Sequence, residues 1–327
     1  MIPVRFVHPD VSAWGPIADN VKPPLPQNWD FPHKNGTYSW TVQTWTYLKR
    51  AGWPVEISPD FARDRINVLH YDHLRAKVIP SRFFVVAVQA DRGRPEICDL
   101  RVVQNKLCIR DEATDFFIPH WTQPGLKPRS SERPPRIERL GYFGISLYLP
   151  EYLQKLSYLN KIKQQGVQFK PITDPLRWHD YSEIDAAFGV RKASDYDMTI
   201  KPPTKLLNAW AAGVVPLMGA EPAYRQVGHD GQDYLEINSP EHLLQTLTHL
   251  NANPQLFQKL LAEGKQRALQ FTPDKILDYW TDLLFDKAQL CYNEKMPGLK
   301  NLAKRTLSFP AAVRRHRGER RHFQANI

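Results

Sequence analysis

The sequence predicts an α/β protein made of two Rossmann-like domains that face each other across a cleft. Three observations carry this expectation. Short apolar runs suited to strands alternate with segments of helical period, the order of a mostly parallel sheet flanked by helices. A chain of 327 residues, 42% hydrophobic and 24% charged, is long enough for two domains with their own cores. The alternating series also runs twice, interrupted by FIPHWTQPGLKPRSSERPPR, which is rich in proline and polar residues and has no apolar period. The resulting division is an N-terminal domain over 1–124, a linker over 125–138, a C-terminal domain over 139–290 and a basic tail over 291–327.

In the first half, PVRFVH (3–8) is the opening strand, followed by a proline- and tryptophan-rich loop up to about Lys34. GTYSWTVQTWTYLKRAG begins with Gly36 in a turn and becomes a helix with Trp40, Trp45 and Leu48 towards one side, ending at Gly52. Strand, small-residue loop and helix make a Rossmann-like beginning, and the loop before this helix is expected at the cleft. PVEIS (54–58) and INVLH (66–70) are further strands, and FFVVAVQA (83–90) is a continuous apolar run suited to burial on both faces. In the second half, LGYFG is a strand. A helix with Pro150 in its first turn runs through EYLQKLSYLNKIKQQ to Gly166, VQFKP is the next strand, and IDAAFGV (184–190) another. Residues 239 to about 288 are helical scaffold, opened by Ser239, Pro240 and Glu241, with Leu243, Leu244, Leu247 and Leu250 covering one face.

The most informative stretch is MTIKPPTKLLNAWAAGVVPLMGAEPAYRQVG, residues 198–228. A basic loop stiffened by Pro202 and Pro203 leads to a helix capped by Thr204 and stopped at Gly213. The short strand VVPLM and a second turn, GAEP, follow. Lys201 and Lys205 in a helix N-terminal turn oppose the helix dipole, and an anion there relieves the mismatch. Phosphate is the natural ligand, although a surface helix with the same residues is the plainer reading. Arg191 and Lys192, after the preceding strand, add cations that suit a diphosphate. Glu221 can accept hydrogen bonds from hydroxyls of a ligand, or else simply favour the dipole of the helix it precedes.

NAWAAGVVPLMGAEPAYRQVGHDGQDYLEI resembles the nucleotide-sugar-binding half of GT-B-fold glycosyltransferases. KPPTKLLNAWAAGVVP, FFIPHWTQPGLKPR and WHDYSEIDAAFGVR resemble further signatures of one branch of them. Asn208 stands where many of those enzymes carry a glutamate that grips the donor ribose. The resemblance spans most of residues 37–245. It implies that the C-terminal domain binds a nucleotide-diphosphate sugar through Arg191, Lys201, Thr204, Lys205, Asn208 and Glu221. The N-terminal domain then binds the acceptor, a hydroxyl of a glycan or glycolipid. Transfer with inversion needs a base beside that hydroxyl. The candidates are His70, Asp72 and His73 in LHYDH, Asp91 in AVQADRG, and His120 in the IPHW turn. Asp180 and Asp185 are expected to shape the loop before their strand. A nucleotide-sugar epimerase, or a binding protein that keeps the fold without chemistry, are the alternatives.

The formal charge of +10 is concentrated at the end: residues 291–327 hold nine Lys and Arg against Glu294 and Glu319. The basic pI therefore does not make the globular part a nucleic-acid binder, and no nucleic-acid partner is expected. The tail is either solvated or drawn to an anionic membrane surface. Cys98, Cys108 and Cys291 have no metal-type spacing and form no disulfide framework. Neither metal nor cofactor is implied, and protease, nucleophile-elbow and P-loop signatures are missing. MIPVRFVHPD has no apolar leader run, and no stretch of about twenty apolar residues is present, which gives a cytoplasmic expectation.

Overall fold

A computed structural model describes residues 1–11, 22–25, 36–76 and 82–326. The chain divides into two compact units: residues 1–120, 200–202 and 273–327 form unit 1, and residues 121–199 and 203–272 form unit 2. The division differs from the expected one at both ends of the second domain. The proposed linker packs within unit 2, where Arg129 and Arg133 both reach the fully buried carboxylate of Asp185. Burial works against this carboxylate, but Arg133 and the Glu138 and Arg139 amides outweigh it and hold its pKa down. The stretch from Pro273 onward joins unit 1 rather than unit 2.

Unit 1 carries a six-stranded, all-parallel sheet of order β2-β1-β3-β4-β5-β6. Its strands are β1 (Val4–Val7), β2 (Val55–Ser58), β3 (Ile66–His70), β4 (Phe84–Val88), β5 (Leu100–Val103) and β6 (Asp115–Phe117). β3, β4 and β5 are buried along their whole length, as expected of strands covered on both faces. The sequence reading anticipates β1 to β4 but not β5 and β6. Arg101 interrupts the apolar run of β5 and is buried because Asp115 on the neighbouring β6 pairs with it and with Arg94. That pairing exists only in the folded sheet.

The helix after β1 differs from expectation at its start. Gly36 is already helical rather than in a turn, a π-helical segment spans Tyr38–Val42, and α1 (Gln43–Arg50) follows. Trp40, Trp45 and Leu48 are buried, and Gly52 takes a left-handed φ of 85° just beyond the end. The loop up to Lys34 falls largely outside the described residues.

Unit 2 carries a five-stranded, all-parallel sheet of order β11-β10-β9-β7-β8. Its strands are β7 (Arg139–Phe143), β8 (Gln168–Ile172), β9 (Ala186–Gly189), β10 (Val215–Met218) and β11 (Leu235–Glu236). The single helix expected after Pro150 is two pieces, a 3-10 turn over Glu151–Gln154 and α2 (Leu156–Gln164), because Lys155 adopts extended backbone. α3 (Asp195–Ile200) leads towards α4 (Thr204–Ala212). Pro203 rather than Thr204 is the N-cap of α4, and no side chain caps it, while Gly213 closes it at φ 67°. α5 (Pro222–Arg225) follows β10, and α6 (Pro240–Ala252) and α7 (Pro254–Ala268) cover the sheet. Ser239 caps α6 by accepting the His242 amide, as expected.

The remaining helices return to unit 1: α8 (Pro273–Asp282), α9 (Ala288–Lys295) and α10 (Leu299–Asn326). The basic tail is thus mostly one long helix docked on a folded surface. Phe309, Ala312 and Val313 pack on the cluster of Val7, Leu69, Leu74, Val85, Ala87 and Ile97. Arg305 ion-pairs with Asp99 and donates to the Phe83 carbonyl at 2.6 Å, and Arg110 pairs with Glu319 at 2.5 Å. Lys300, Lys304, Leu307, Arg314, Arg317 and Arg321 remain exposed. Among the described residues no helix is long and apolar enough to cross a membrane.

Candidate functional site

Each sheet has a switch point, where the chain leaves one strand and builds neighbours on both sides of it, and ligands bind beyond the carboxyl ends of the strands there. In unit 2 the switch strand is β7, between β8 and β9. Beyond its end, a Cβ on Gly144 would come within 3.1 Å of Lys205 Nζ and of the Tyr142 hydroxyl oxygen. The lysine occupies the space that glycine leaves, with Nζ 4.1 Å from the centre of the Tyr142 ring.

Arg191 extends from the end of β9. Its Nε donates to Glu221 Oε1 at 2.8 Å and its Nη2 to the Tyr224 hydroxyl at 2.9 Å. Glu221 is 1% exposed, and its Oε2 is buried without a hydrogen-bond partner among the described residues. A buried carboxylate oxygen left unpaired is costly unless a ligand donates to it. Lys205 has no carboxylate partner among the described residues. Burial, and then the nearby Arg191, lower its pKa to about 7, with Glu221 opposing them. For Arg191, burial favours the neutral form, but Tyr224 and Glu221 dominate and hold the guanidinium charged. The uncapped first turn of α4 leaves backbone N–H groups unsatisfied in the same place. Together these groups suit a ligand with negative charge and hydroxyls.

In unit 1 the switch strand is β1, between β2 and β3. The parallel register pairs Phe6 with Val68, and two residues further on it sets His8 beside His70. Both imidazoles are essentially fully buried. His8 Nδ1 accepts the Asp10 amide at 3.2 Å, and its Nε2 lies 3.0 Å from Thr37 Oγ1. His70 Nδ1 accepts the Asp72 amide at 3.1 Å. An imidazole nitrogen that accepts carries no proton, so each neutral ring is protonated at Nε2. His70 therefore presents an N–H donor and, in this tautomer, no basic nitrogen. Burial lowers His8 to about 3 and His70 to about 4, and burial also lowers His73. The His73 ring is edge-on to His8 at 4.7 Å, and its Nδ1 is buried without a partner among the described residues. Asp72 is engaged by Arg92, at 2.9 and 3.2 Å.

The structure thus brings Arg191, Lys205 and Glu221 together, and separately brings His70 and Asp72 together. It assigns other surroundings to the rest. Lys201 belongs to unit 1, is 6% exposed, and holds Asp91 at 3.2 Å. Burial tends to raise Asp91, but Lys201 and Arg92 outweigh it and keep it ionised. Asn208 is buried, and its Oδ1 accepts the Gln123 amide at 2.9 Å. Lys192 pairs with Glu151 on an exposed surface, and His120 packs edge-on against Trp40. Thr204 occupies the first turn of α4 without capping it. Sequence reasoning missed His8, Tyr142 and Tyr224. For His8 the signal was available, because it directly follows the first strand of a Rossmann-like unit. Tyr142 and Tyr224 read as ordinary core aromatics.

No protein-family model matches the sequence, and no curated protein matches it. Solved structures do resemble it. One is Anabaena Alr3699/HepE, determined in complex with UDP and glucose, at TM-score 0.54 and 10% identity over 87% of this chain and 100% of that one. Another is AviGT4, a glycosyltransferase involved in avilamycin A biosynthesis, at TM-score 0.55 and 9% identity over 88% and 98%. The pneumococcal O-GlcNAc transferase GtfA, in complex with UDP and GlcNAc, is matched at TM-score 0.49 and 12% identity over 69% of this chain. The match spans only 57% of the GtfA chain. The chain has the two Rossmann-like units of the GT-B fold, and at these identities the likeness establishes the fold alone.

Proposed function

We propose that the protein is a glycosyltransferase that moves a sugar, of the hexosyl type, from a nucleotide-diphosphate donor to a hydroxyl of a glycan or glycolipid. The observation that carries this reading is the convergence of Arg191, Lys205 and the half-paired Glu221 beyond the ends of β7, β9 and β10. The Arg191 Nη1 and the Lys205 ammonium face the donor diphosphate. As the bond from the sugar C1 to the phosphate oxygen breaks, they stabilise the negative charge that grows on that oxygen, so this chemistry does not require a metal. Glu221 Oε2 accepts a hydroxyl of the ribose or sugar. Alr3699/HepE was solved with UDP and glucose, which favours a uridine nucleotide.

On the acceptor side, His70 Nε2–H donates to an oxygen of the acceptor. The acceptor proton passes to a neighbouring group of the same cluster, and His73 is the member with an unused buried nitrogen. The exposed cations of α10 hold the enzyme against an anionic membrane surface, each contributing on the order of 1 kcal/mol. Because the inner face of α10 is structural, the membrane test is charge reversal at Lys300, Lys304, Arg314 and Arg321 rather than truncation. Unchanged binding to anionic vesicles at low salt refutes this part.

The deciding experiment is titration of the full chain with UDP-, GDP-, ADP- and CMP-linked sugars, followed by thermal shift and by release of free nucleotide. One nucleotide class should stabilise the protein, by roughly 2.7 kcal/mol at a hundred times its dissociation constant. Lys205→Ala should weaken that binding about 10- to 100-fold, as expected for loss of a charge-assisted contact. Donor bound with equal affinity by the variant moves the phosphate site elsewhere. Donor bound but never hydrolysed or transferred favours the non-catalytic binding protein.

A further inference from the structure

We infer that unit 1 holds a second anion site, built by α10, which takes a phosphoryl group carried by the acceptor. The inference rests on the glycosyltransferase reading for the word acceptor, while the anion site itself stands on its own geometry. A cavity of about 310 Å³ lies between α10 and the segment that follows β3. Arg75, Arg92 and Arg320 line it, together with Asp72, His316 and Phe323. Arg92 is committed to Asp72 and Asp91. Arg75 and Arg320 have no carboxylate partner among the described residues, so the cavity carries a surplus of two guanidinium charges. A guanidinium offers a planar fork of N–H donors that matches phosphate oxygens, and two of them lining one concavity suit a phosphoryl group better than a monovalent carboxylate.

The cavity is a product of close docking. A Cβ on Gly93 would stand 3.0 Å from Phe323 Cβ and 3.1 Å from the Glu319 carbonyl, so α10 lies directly against this glycine. His316 is 8% exposed, and its Nδ1 accepts the Glu96 amide at 3.4 Å, which fixes the wall from the helix side. Asp72 links the cavity to the histidine cluster. Its side chain lines the cavity, and its Oδ2 lies 3.6 Å from His70 Nδ1. A phosphoryl group held on Arg75 and Arg320 therefore lies beside Asp72, the residue that borders both the cavity and the histidine cluster.

Two sources share this chemistry, a phosphate borne by a lipid-linked acceptor and free inorganic phosphate. The test uses the full chain with inorganic phosphate, farnesyl phosphate and farnesol as probes in calorimetric titrations. Arg75→Ala/Arg320→Ala should weaken farnesyl phosphate binding at least ten-fold, and Arg320→Lys should lose less. Both positions are exposed, so the variants should keep the wild-type melting temperature. Lys205→Ala, in unit 2, should leave farnesyl phosphate binding unchanged while weakening the donor, which separates failure of this site from failure of the donor reading. Equal affinity of wild type and double variant overturns the site, as does farnesol binding as tightly as farnesyl phosphate. Farnesyl phosphate binding lost in Lys205→Ala and kept in the double variant also overturns it, because the anion then sits in unit 2. Inorganic phosphate binding as tightly as farnesyl phosphate, with both lost in the double variant, overturns the acceptor assignment in favour of a free-anion site.

Discussion

Beyond β7 the unit 2 sheet presents two cations and one unpaired carboxylate oxygen, whereas beyond β1 the unit 1 sheet presents three imidazoles held neutral by burial. The two places are topologically equivalent, each at the switch point of a parallel sheet. They differ in which charge state burial favours. At Arg191 the partners Glu221 and Tyr224 compensate burial and keep the cation. At His8 and His70 nothing compensates it fully, and the rings stay uncharged at neutral pH. One unit thus keeps charged groups of a kind that suit an anion, and the other keeps neutral rings of a kind that can donate or accept a proton. A shared backbone topology sets where ligands go, and the local balance of desolvation and partner charge sets what can happen there.

The contrast breaks most sharply at His70. If this ring acts as an N–H donor, His70→Ala should lower transfer by about 10²- to 10⁴-fold, the range for loss of one positioned proton-handling or oxyanion group. His70→Gln, which keeps an N–H donor but does not titrate, should restore part of it. A Gln variant as inactive as the Ala variant would return His70 to the role of base. Donor affinity should stay at the wild-type value in both.

Next comes the ion pair that holds the cation in unit 2. Arg191→Ala leaves Glu221 charged and buried, and should lower unfolding stability by about 3–5 kcal/mol. Removing both partners in Arg191→Ala/Glu221→Met should recover most of that loss. Urea denaturation of the two variants decides it, and equal losses would show that the pair is not the source of the effect.

Titration sharpens the comparison further. If Lys205 holds the donor diphosphate, as proposed, donor binding should weaken as pH rises through about 7, where the buried ammonium deprotonates. Bound diphosphate moves that transition upward, and Lys205→Ala should abolish it. In unit 1 the effect falls on stability. The folded His8 and His70 titrate at about 3 and about 4, below the unfolded value near 6.5, so the unfolded chain binds more protons in that window. Their stabilisation is complete above pH 6.5. It should fall by up to about 1.4 kcal/mol per pH unit for each ring as the pH drops towards 4. A His8→Phe/His70→Phe variant should flatten the profile between pH 4 and 6.5.

The smallest expected effect is at Gly144. A methyl group there would stand 3.1 Å from both Lys205 Nζ and the Tyr142 hydroxyl oxygen, the ends of two side chains. Gly144→Ala should therefore displace the ammonium without unfolding the sheet, and reduce donor affinity by a few-fold, about 1 kcal/mol or less. An effect as large as that of Lys205→Ala would mean that the glycine serves the backbone rather than the lysine.

The sequence by itself determined the two parallel sheets and the position of most strands, because buried strands must be apolar runs of a few residues and such runs are local. It also determined the α4 to α5 segment, whose Gly213 stop, β10 run and GAEP turn are all written in neighbouring residues. Lys205, Arg191 and Glu221 were legible as cations and a carboxylate near a helix start, since their spacing follows from those elements. What only the tertiary structure decided are the pairings between distant segments. Arg101 lies in a strand because Asp115 and Glu96 receive it. Residues 299–326 form a helix despite Pro310, and that helix docks on unit 1 through Arg305, Phe309 and His316. His8 and His70 stand 62 residues apart in sequence and meet because β1 and β3 are register neighbours. Local sequence fixes apolar period and turn chemistry. The charge state of a buried group depends on partners that the chain supplies only once it has folded.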